Sequence, residues 1–397
     1  MPNQRLRLIT LFSSAVLALA GALPVFAQPP VQPQIPDHPN APVCPGPAEE
    51  GTARCHARVV LESHGGPPAA AQTPAGYGPA DLQAAYALSP SGGSGVTVAV
   101  VDAYDNPTAE NDLGVYRSQF GLSACTTANG CFKKVNQTGG TRYPRGNSGW
   151  ALESALDIQM VSAICPNCNI LLVEANSNSL ANLLAAEDYA RSHATVVSNS
   201  WGASEFSSEG SYDSHFTGSG VRFTASSGDS GYGVIWPAAS PNVTAVGGTS
   251  LTRDSSSRGW SETVWSGAGS GCSAFESQPG FQSSITRLTA VCANRAVADV
   301  AFDANPNTGV AVYDSYGYQG RKGWFVVGGT SVGAPAIAAA YALANNGGTT
   351  SGTYSNTSSL NDVTSGSNGS CGNLLCNGAT GWDGPTGNGT PKGTGAF

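Results

Sequence analysis

The chain has 397 residues, 40% hydrophobic and 11% charged, with 18 Lys and Arg against 26 Asp and Glu for a formal charge of −8. That length allows one large domain with extensions or two modest ones, and the sparse, net acidic charge argues against nucleic-acid binding, which needs clustered Lys and Arg. Gly, Ser, Thr and Asn fill the surface instead, so acid changes its charge less than usual, a hint of an acidic working environment.

Residues 1–27 have the form of a secretion signal. Arg5 and Arg7 give a basic start, "LITLFSSAVLALAGALPVFA" is apolar, and small residues precede a cut after Ala27. A membrane anchor is the alternative; Pro24 and the small-residue end favour cleavage. No later segment reaches the ~18 apolar residues of a spanning helix, so an exported, monomeric protein without stable membrane association is expected. Ten cysteines suit that compartment and fall into close pairs: Cys44 and Cys55, Cys125 and Cys131, Cys165 and Cys168, Cys272 and Cys292, Cys371 and Cys376. An even count in an exported chain reads as disulfides, paired here by proximity. Cys165-Pro-Asn-Cys168 could instead serve zinc or redox chemistry, but it is a single CxxC with no His beside it.

Residues 28–75, rich in Pro, Ala and Gly, read as a linker or short pro-segment. The region 76–397 then takes a regular pattern. "GPADLQAAYAL" is a short helix, "GVTVAVVDA" a buried strand, "ENDLGVYRSQFGL" a helix, and "GWALESALDIQMVSAIC" a long helix. "NILLVEA" is a strand, "LANLLAAEDYARSHA" a helix, and "TVVSNSWG", "VRFTASSGDSG" and "VTAVGGTSL" are strands that run into loops. Strands alternating with helices predict an α/β fold with a mostly parallel sheet and helices on both faces. Functional groups then gather at the carboxyl ends of the strands. "VGAPAIAAAYALAN" is apolar all round and predicts a buried central helix.

Three serines compete as nucleophile. Ser230 sits in "SGDSG", which is similar to a trypsin-like motif, but no His has the Ala-Ala-His-Cys context that reading needs. "VGGTS" occurs twice, at Val246–Ser250 and Val327–Ser331. Ser331 alone fits G-x-S-x-G and opens the buried helix, whereas Ser250 reads as a structural loop. An α/β-hydrolase needs its His after the Ser, and no His follows His215. Asp102 suits the Asp of a subtilisin, yet the expected His-Gly-Thr-His segment is missing; His193 and His215 lie in the wrong surroundings. Ser331 still needs a base. Glu153 and Asp157, four apart in a largely apolar helix, offer one, because such a pair shares a proton and titrates as a unit. An acidic edge of a surface helix would give the same spacing.

The set "ESALD", "SNSWG", "ASSGDSG", "WPAASPNVTAVGGTSL" and "GGTSVGAP", in this order, resembles the sedolisins, or serine-carboxyl peptidases. The resemblance runs from Gly76 to the C-terminus. It implies a subtilisin-like three-layer α/β fold and a secreted endopeptidase that cuts protein and peptide substrates in acid through an acyl-enzyme. Carried over by residue, Ser331 is the nucleophile, Glu153 its general base, Asp157 the group that orients and tunes Glu153, and Asp229 the oxyanion-hole acid. An extended substrate would pair with Ser200, Trp201 and Gly202. The family also implies one structural Ca²⁺, held here by Asp362, the Val363, Ala379 and Gly381 carbonyls, and Asp383, an oxygen-only set suited to that ion. A solvated Gly-Asn loop with two acids is the alternative. Two departures stand out: Gly328 replaces the commoner Ser, and 28–75 is too short for the family's large pro-domain. Two other functions remain open, a catalytically silent binding or structural relative and a subtilisin-type protease using an unrecognised His.

Overall fold

The apolar run "TVAVVDA" becomes a strand near the middle of a parallel sheet in the computed structural model, which describes residues 1–2, 38–63, 65–66 and 69–397. After three short strands, β1 (Asn40–Pro42), β2 (Arg54–Cys55) and β3 (Arg58–Val60), helix and strand alternate. The series is α1 (Pro79–Ala85), β4 (Thr97–Ala103), α2 (Ala109–Gln119), β5 (Phe132–Asn136), α3 (Ser148–Ile164), β6 (Asn169–Ala175) and α4 (Leu180–Arg191). It continues through β7 (Val196–Asn199), β8 (Trp201–Ser204), β9 (Arg222–Ser226), β10 (Thr244–Arg253) and β11 (Trp260–Val264). Then come β12 (Val300–Asp303), β13 (Val310–Tyr318), β14 (Arg321–Gly328) and α5 (Thr330–Ala344).

The main sheet runs β5-β6-β4-β7-β9-β10, with β12 also beside β10. All of these pairs are parallel; only β11, paired with β10, runs against them. Strands buried on both faces need unbroken apolar runs, which is why β4 and β6 lack alternation. Helices α3 and α5 pack on each other and on the sheet, while α4 packs on β4, β6 and β7. The expected α/β architecture, a mostly parallel sheet between helices, is the observed one. The fold lies in the unit Gln34–Phe397.

A second, antiparallel sheet joins β1, β3, β14 and β13. Its presence changes the reading of 28–75. The described part of that stretch is built into the domain, since β3 pairs with β14 and β2 pairs with β8. Strands of two or three residues need no long apolar period, so composition alone suggests a tether. The signal segment 1–27 lies, beyond its first two residues, outside the described residues.

All five disulfides join the near neighbours expected, including Cys165–Cys168, and no described cysteine is free. The two "VGGTS" copies part company. Val246–Ser250 is not a loop but continues as strand β10, and Asn305 donates to the Ser250 hydroxyl at 2.9 Å. Glycine is needed there for packing: a Cβ on Gly247 would stand 2.0 Å from the Pro385 carbonyl oxygen. In the second copy the strand stops at Gly328 and the helix begins.

Candidate active site

Helix α3 places two carboxyls in the dry interior. The Asn147 side chain caps it by accepting from the Gly149 and Trp150 amides. Every residue from Gly149 to Ile164 is buried, and Glu153 and Asp157 have no exposed surface, so the surface-helix alternative does not hold. Asp102, at the end of β4, is equally buried, and neither of its oxygens has a hydrogen-bond partner. Oε1 of Glu153 and Oδ2 of Asp157 also lack partners. The three groups feel one another. Burial, then the charge of Asp102, pushes Glu153 and Asp157 well above the carboxyl range, and burial raises Asp102 to about 8. Orphaned oxygens at a cost of about 1–3 kcal/mol each are relieved if protons stay within the cluster and each protonated oxygen donates to its neighbour. The spacing in α3 pointed to the pair; Asp102 enters as a third member rather than as the partner of a histidine.

Ser331 stands where β14 turns into α5. Gly329 takes φ +99°, a left-handed value that favours glycine, and its Cβ would stand 2.0 Å from the His56 carbonyl oxygen and 2.5 Å from Asp229 Oδ2. Ser331 is fully buried, and its hydroxyl lies 3.5 Å from the Ser200 carbonyl. It is also close enough to Glu153 to favour the carboxylate, although no well-directed hydrogen bond joins them. Asp229 follows β9 and accepts on Oδ1 from the Thr330 amide at 2.8 Å and hydroxyl at 2.9 Å. Its Oδ2 is buried without a partner, and burial lifts its pKa to about 6 despite those bonds. The four expected residues, Glu153, Asp157, Asp229 and Ser331, thus converge at the carboxyl end of the parallel sheet.

The "SNSWG" segment forms one wall. Ser200 donates from its hydroxyl to Asp157 Oδ1 at 2.9 Å, and its carbonyl accepts from the His56 amide at 3.1 Å. Trp201 is fully buried against Trp236 and paired with Cys55 of β2, so its indole belongs to the core. Gly202 lines a cavity of about 360 Å³ together with Arg54, His56, Asp229 and Ile235. No sequence motif pointed to the chain that fills the cleft: Ala57 donates its amide to Glu153 Oε2 at 2.8 Å.

Of the described histidines, His193 stacks on Tyr189 and His215 faces Asp188 at 3.0 Å, both away from Ser331. His56 is at the site, yet its Nδ1 bonds the Ser226 hydroxyl at 2.7 Å, and burial with the nearby Arg54 lowers its pKa to about 3. The distant loop expected to hold calcium brings Asp362 and Asp383 near each other. Asp383 is buried and raised to about 7, mainly by that burial, with Asp362 adding repulsion. The Gly381 amide donates to Asp362 and the Ala379 amide to Asp383, each at 2.9 Å. Val363 is buried beside Asp362. Among the described residues no three His, Cys, Asp or Glu side chains are grouped to hold a metal, so a cation in this loop would lean on main-chain oxygens.

A model of the subtilase family matches residues 135–373. The sedolisin of Pseudomonas sp. (strain 101) is 29% identical over 348 residues, 72% of this chain and 57% of that relative. The kumamolisin of Bacillus sp. (strain MN-32) is 32% identical over 330 residues, 74% of this chain and 57% of that relative. This chain therefore matches only 57% of the length of either relative. Among solved structures, Pseudomonas sedolisin, a serine-carboxyl proteinase complexed with two molecules of pseudo-iodotyrostatin, aligns with a TM-score of 0.68 at 28% identity, covering 81% of this chain and 96% of that one.

Carboxyls whose pKa is raised on folding stabilise the fold fully below the ordinary carboxyl range, and that contribution is lost as pH rises through their folded values. With Asp229 at about 6 and Asp102 at about 8, the urea midpoint of the Ser331→Ala chain is expected to be highest near pH 4 and to fall steadily toward pH 8. Equilibrium unfolding at several pH values checks this; a midpoint that rises over the same window contradicts it.

Proposed function

The chain belongs to the subtilase family, and its relatives there are sedolisins; from that premise we propose that it is a secreted serine-carboxyl endopeptidase active in acid. The observation that carries this reading is a buried cluster of carboxyls around Ser331 with none of the described histidines in hydrogen-bond contact with its hydroxyl. The five disulfides suit an oxidising compartment, and no described helix is long and apolar enough to cross a membrane.

In the proposed mechanism an extended peptide takes the place of β2 on the Ser200–Gly202 segment, with its amide on the Ser200 carbonyl that the His56 amide now occupies. The Ser331 hydroxyl and the Ala57 amide favour the ionised form of Glu153 against its burial, and in that form it takes the Ser331 proton as Oγ attacks the carbonyl carbon. Asp157, fixed by the Ser200 hydroxyl, holds the charge balance of Glu153. The carbonyl oxygen becomes an oxyanion beside Asp229. An ionised Asp229 would repel it, so the acid must carry its proton on Oδ2, the oxygen that Thr330 leaves unbonded. The amide ends at the start of α5 add positive potential there. Glu153 then returns the proton to the leaving amine, and water repeats the sequence on the ester. Asp229 loses its proton near pH 6, so activity declines above that pH.

The loop at 362–383 is assigned one structural Ca²⁺, with Asp362, Asp383 and the carbonyls of Val363, Ala379 and Gly381 as ligands. The mutual repulsion of two acids supports this, since a cation between them relieves it. Arg287 donates to the Thr380 carbonyl of the same loop.

Casein hydrolysis at about pH 4 is expected to fall about 10⁴-fold or more in Ser331→Ala and Glu153→Gln, and about 10²–10³-fold in Asp229→Ala. Asp229→Asn keeps a donor at every pH. It is expected to retain activity within about tenfold and to lose the decline near pH 6; an Asn variant with the wild-type upper limb removes Asp229 from the mechanism. Chelation with EGTA should lower the thermal midpoint by several degrees, as follows from about 2.7 kcal/mol of linkage at a hundredfold excess over Kd; an unchanged midpoint argues against the ion.

A further inference from the structure

Two walls grip an extended chain in the cleft, and helix α4 reaches both of them. On one side the Asn178 carbonyl accepts from the Ala53 amide at 2.8 Å, and the Asn178 side chain donates to the Ala53 carbonyl at 2.7 Å. On the other, Gly202 stands opposite Arg54, and the Ser200 carbonyl accepts from the His56 amide. A peptide that takes the place of β2 would meet the same two walls. Asn178 lies just before α4, which Ser179 caps by accepting from the Asn182 amide. Farther along, α4 packs on β7, the strand that ends at Asn199 and leads into Ser200. Glu187 of α4 meets Asn199 there.

Glu187 has no exposed surface. Its two carboxyl oxygens and Oδ1 of Asn199 are buried with no donor to meet them, although the two side chains touch. Turning the Asn199 amide over does not resolve this. Its Nδ2 faces the Thr224 carbonyl at 3.4 Å, and the turned amide would set oxygen against oxygen there. No cation answers Glu187 either. Its charged neighbours are Asp188 and Arg191. Arg191 pairs with Asp188 at 2.8 Å and donates to the Ser214 and Thr217 carbonyls. Asp188 also faces His215 at 3.0 Å, on the segment Glu209–Phe216 that packs on α4. A neutral carboxyl fits what remains. One proton on Glu187 gives Asn199 Oδ1 its donor, and burial, which pushes Glu187 well above the carboxyl range, favours that form.

We propose that Glu187 is a positioning residue for substrate: its protonated carboxyl donates to Asn199 Oδ1 and so fixes the Ser200 wall relative to the Asn178 wall. The proposal rests on the serine-carboxyl reading above. Glu187 touches no substrate atom and acts through Asn199, whose neighbour Ser200 offers the carbonyl that a substrate amide would meet. A strand bonded along both edges is held well only if the edges keep their separation. Ser331, Glu153 and Asp229 stand on α5, α3 and the loop after β9, so slack between the walls weakens binding more than chemistry.

The test uses the full chain and an extended peptide substrate at about pH 4, with Glu187→Gln and Glu187→Met in parallel. Glutamine keeps a donor for Asn199; methionine keeps the bulk and removes it. Glu187→Gln is expected to leave KM and kcat within about threefold, and Glu187→Met to raise KM about tenfold or more with kcat changed less than about threefold. If the methionine chain does not fold, Glu187→Met with Asn199→Leu removes both polar partners and should fold with the raised KM. Infrared difference spectra at about pH 7, between Ser331→Ala and the same chain with Glu187→Gln, should show the loss of one protonated carboxyl, a readout independent of activity. A methionine variant with wild-type KM, alone or beside Asn199→Leu, overturns the positioning role, and so do equal losses in the glutamine and methionine variants. A glutamine variant that loses no protonated carboxyl overturns the proton on Glu187. A wild type inert on peptide and casein overturns the peptidase reading and the positioning role with it, while the infrared band still decides the proton.

Discussion

Three carboxyls, Asp102, Glu153 and Asp157, lie in an interior with no water-facing surface, and the rest of the site depends on how their charge is settled. Burial makes ionising all three prohibitively costly, since each charge disfavours the others in a medium that screens poorly. None of the three is paired with Lys or Arg: among the described ion pairs, none involves these carboxyls. Protons are the remaining counter-charge. In the proposed mechanism the cluster keeps its other protons and releases one from Glu153, whose ionised form the Ser331 hydroxyl and the Ala57 amide favour, to serve as the base beside the serine in acid, where an ordinary histidine would be charged and unable to accept.

The fold serves that constraint at each level. The parallel sheet brings the ends of β4 and β9 to one edge, carrying Asp102 and the Asp229 loop, while α3 and α5, packed together, supply Glu153, Asp157 and Ser331. Gly329 lets the chain turn from β14 into α5 with nothing between Asp229 Oδ2 and the carbonyl it faces. The proposed acid pH range then rests on two effects that agree in sign. Raised carboxyl pKa values stabilise the folded chain at low pH, and the same shift keeps Asp229 protonated as a donor.

Much of this was legible in the residues. The unbroken apolar runs of β4 and β6, the i, i+4 spacing of Glu153 and Asp157, and the all-apolar helix behind Ser331 each have a direct physical cause in the sequence. Other features were not, for reasons equally physical. The identical letters of the two "VGGTS" copies hide different partners: Gly247 makes room for Pro385, whereas Gly329 turns the chain. Residues 38–63 carry no helical or strand period because their strands are two or three residues long, so only three-dimensional pairing reveals them as part of the cleft. Asp102 could be read as the partner of a missing histidine, since nothing local tells which group an acid at a strand end will meet.

The most direct measurement is infrared difference spectroscopy between wild type and Glu153→Gln over a pH series, reading the carbonyl stretch of protonated carboxyls. The account predicts that protonated carboxyls of the cluster persist well above the ordinary range of about 4, and that replacing Glu153 shifts the titration of Asp102 and Asp157 with it. Carboxyls that all ionise near 4 and titrate independently of Glu153 would contradict it.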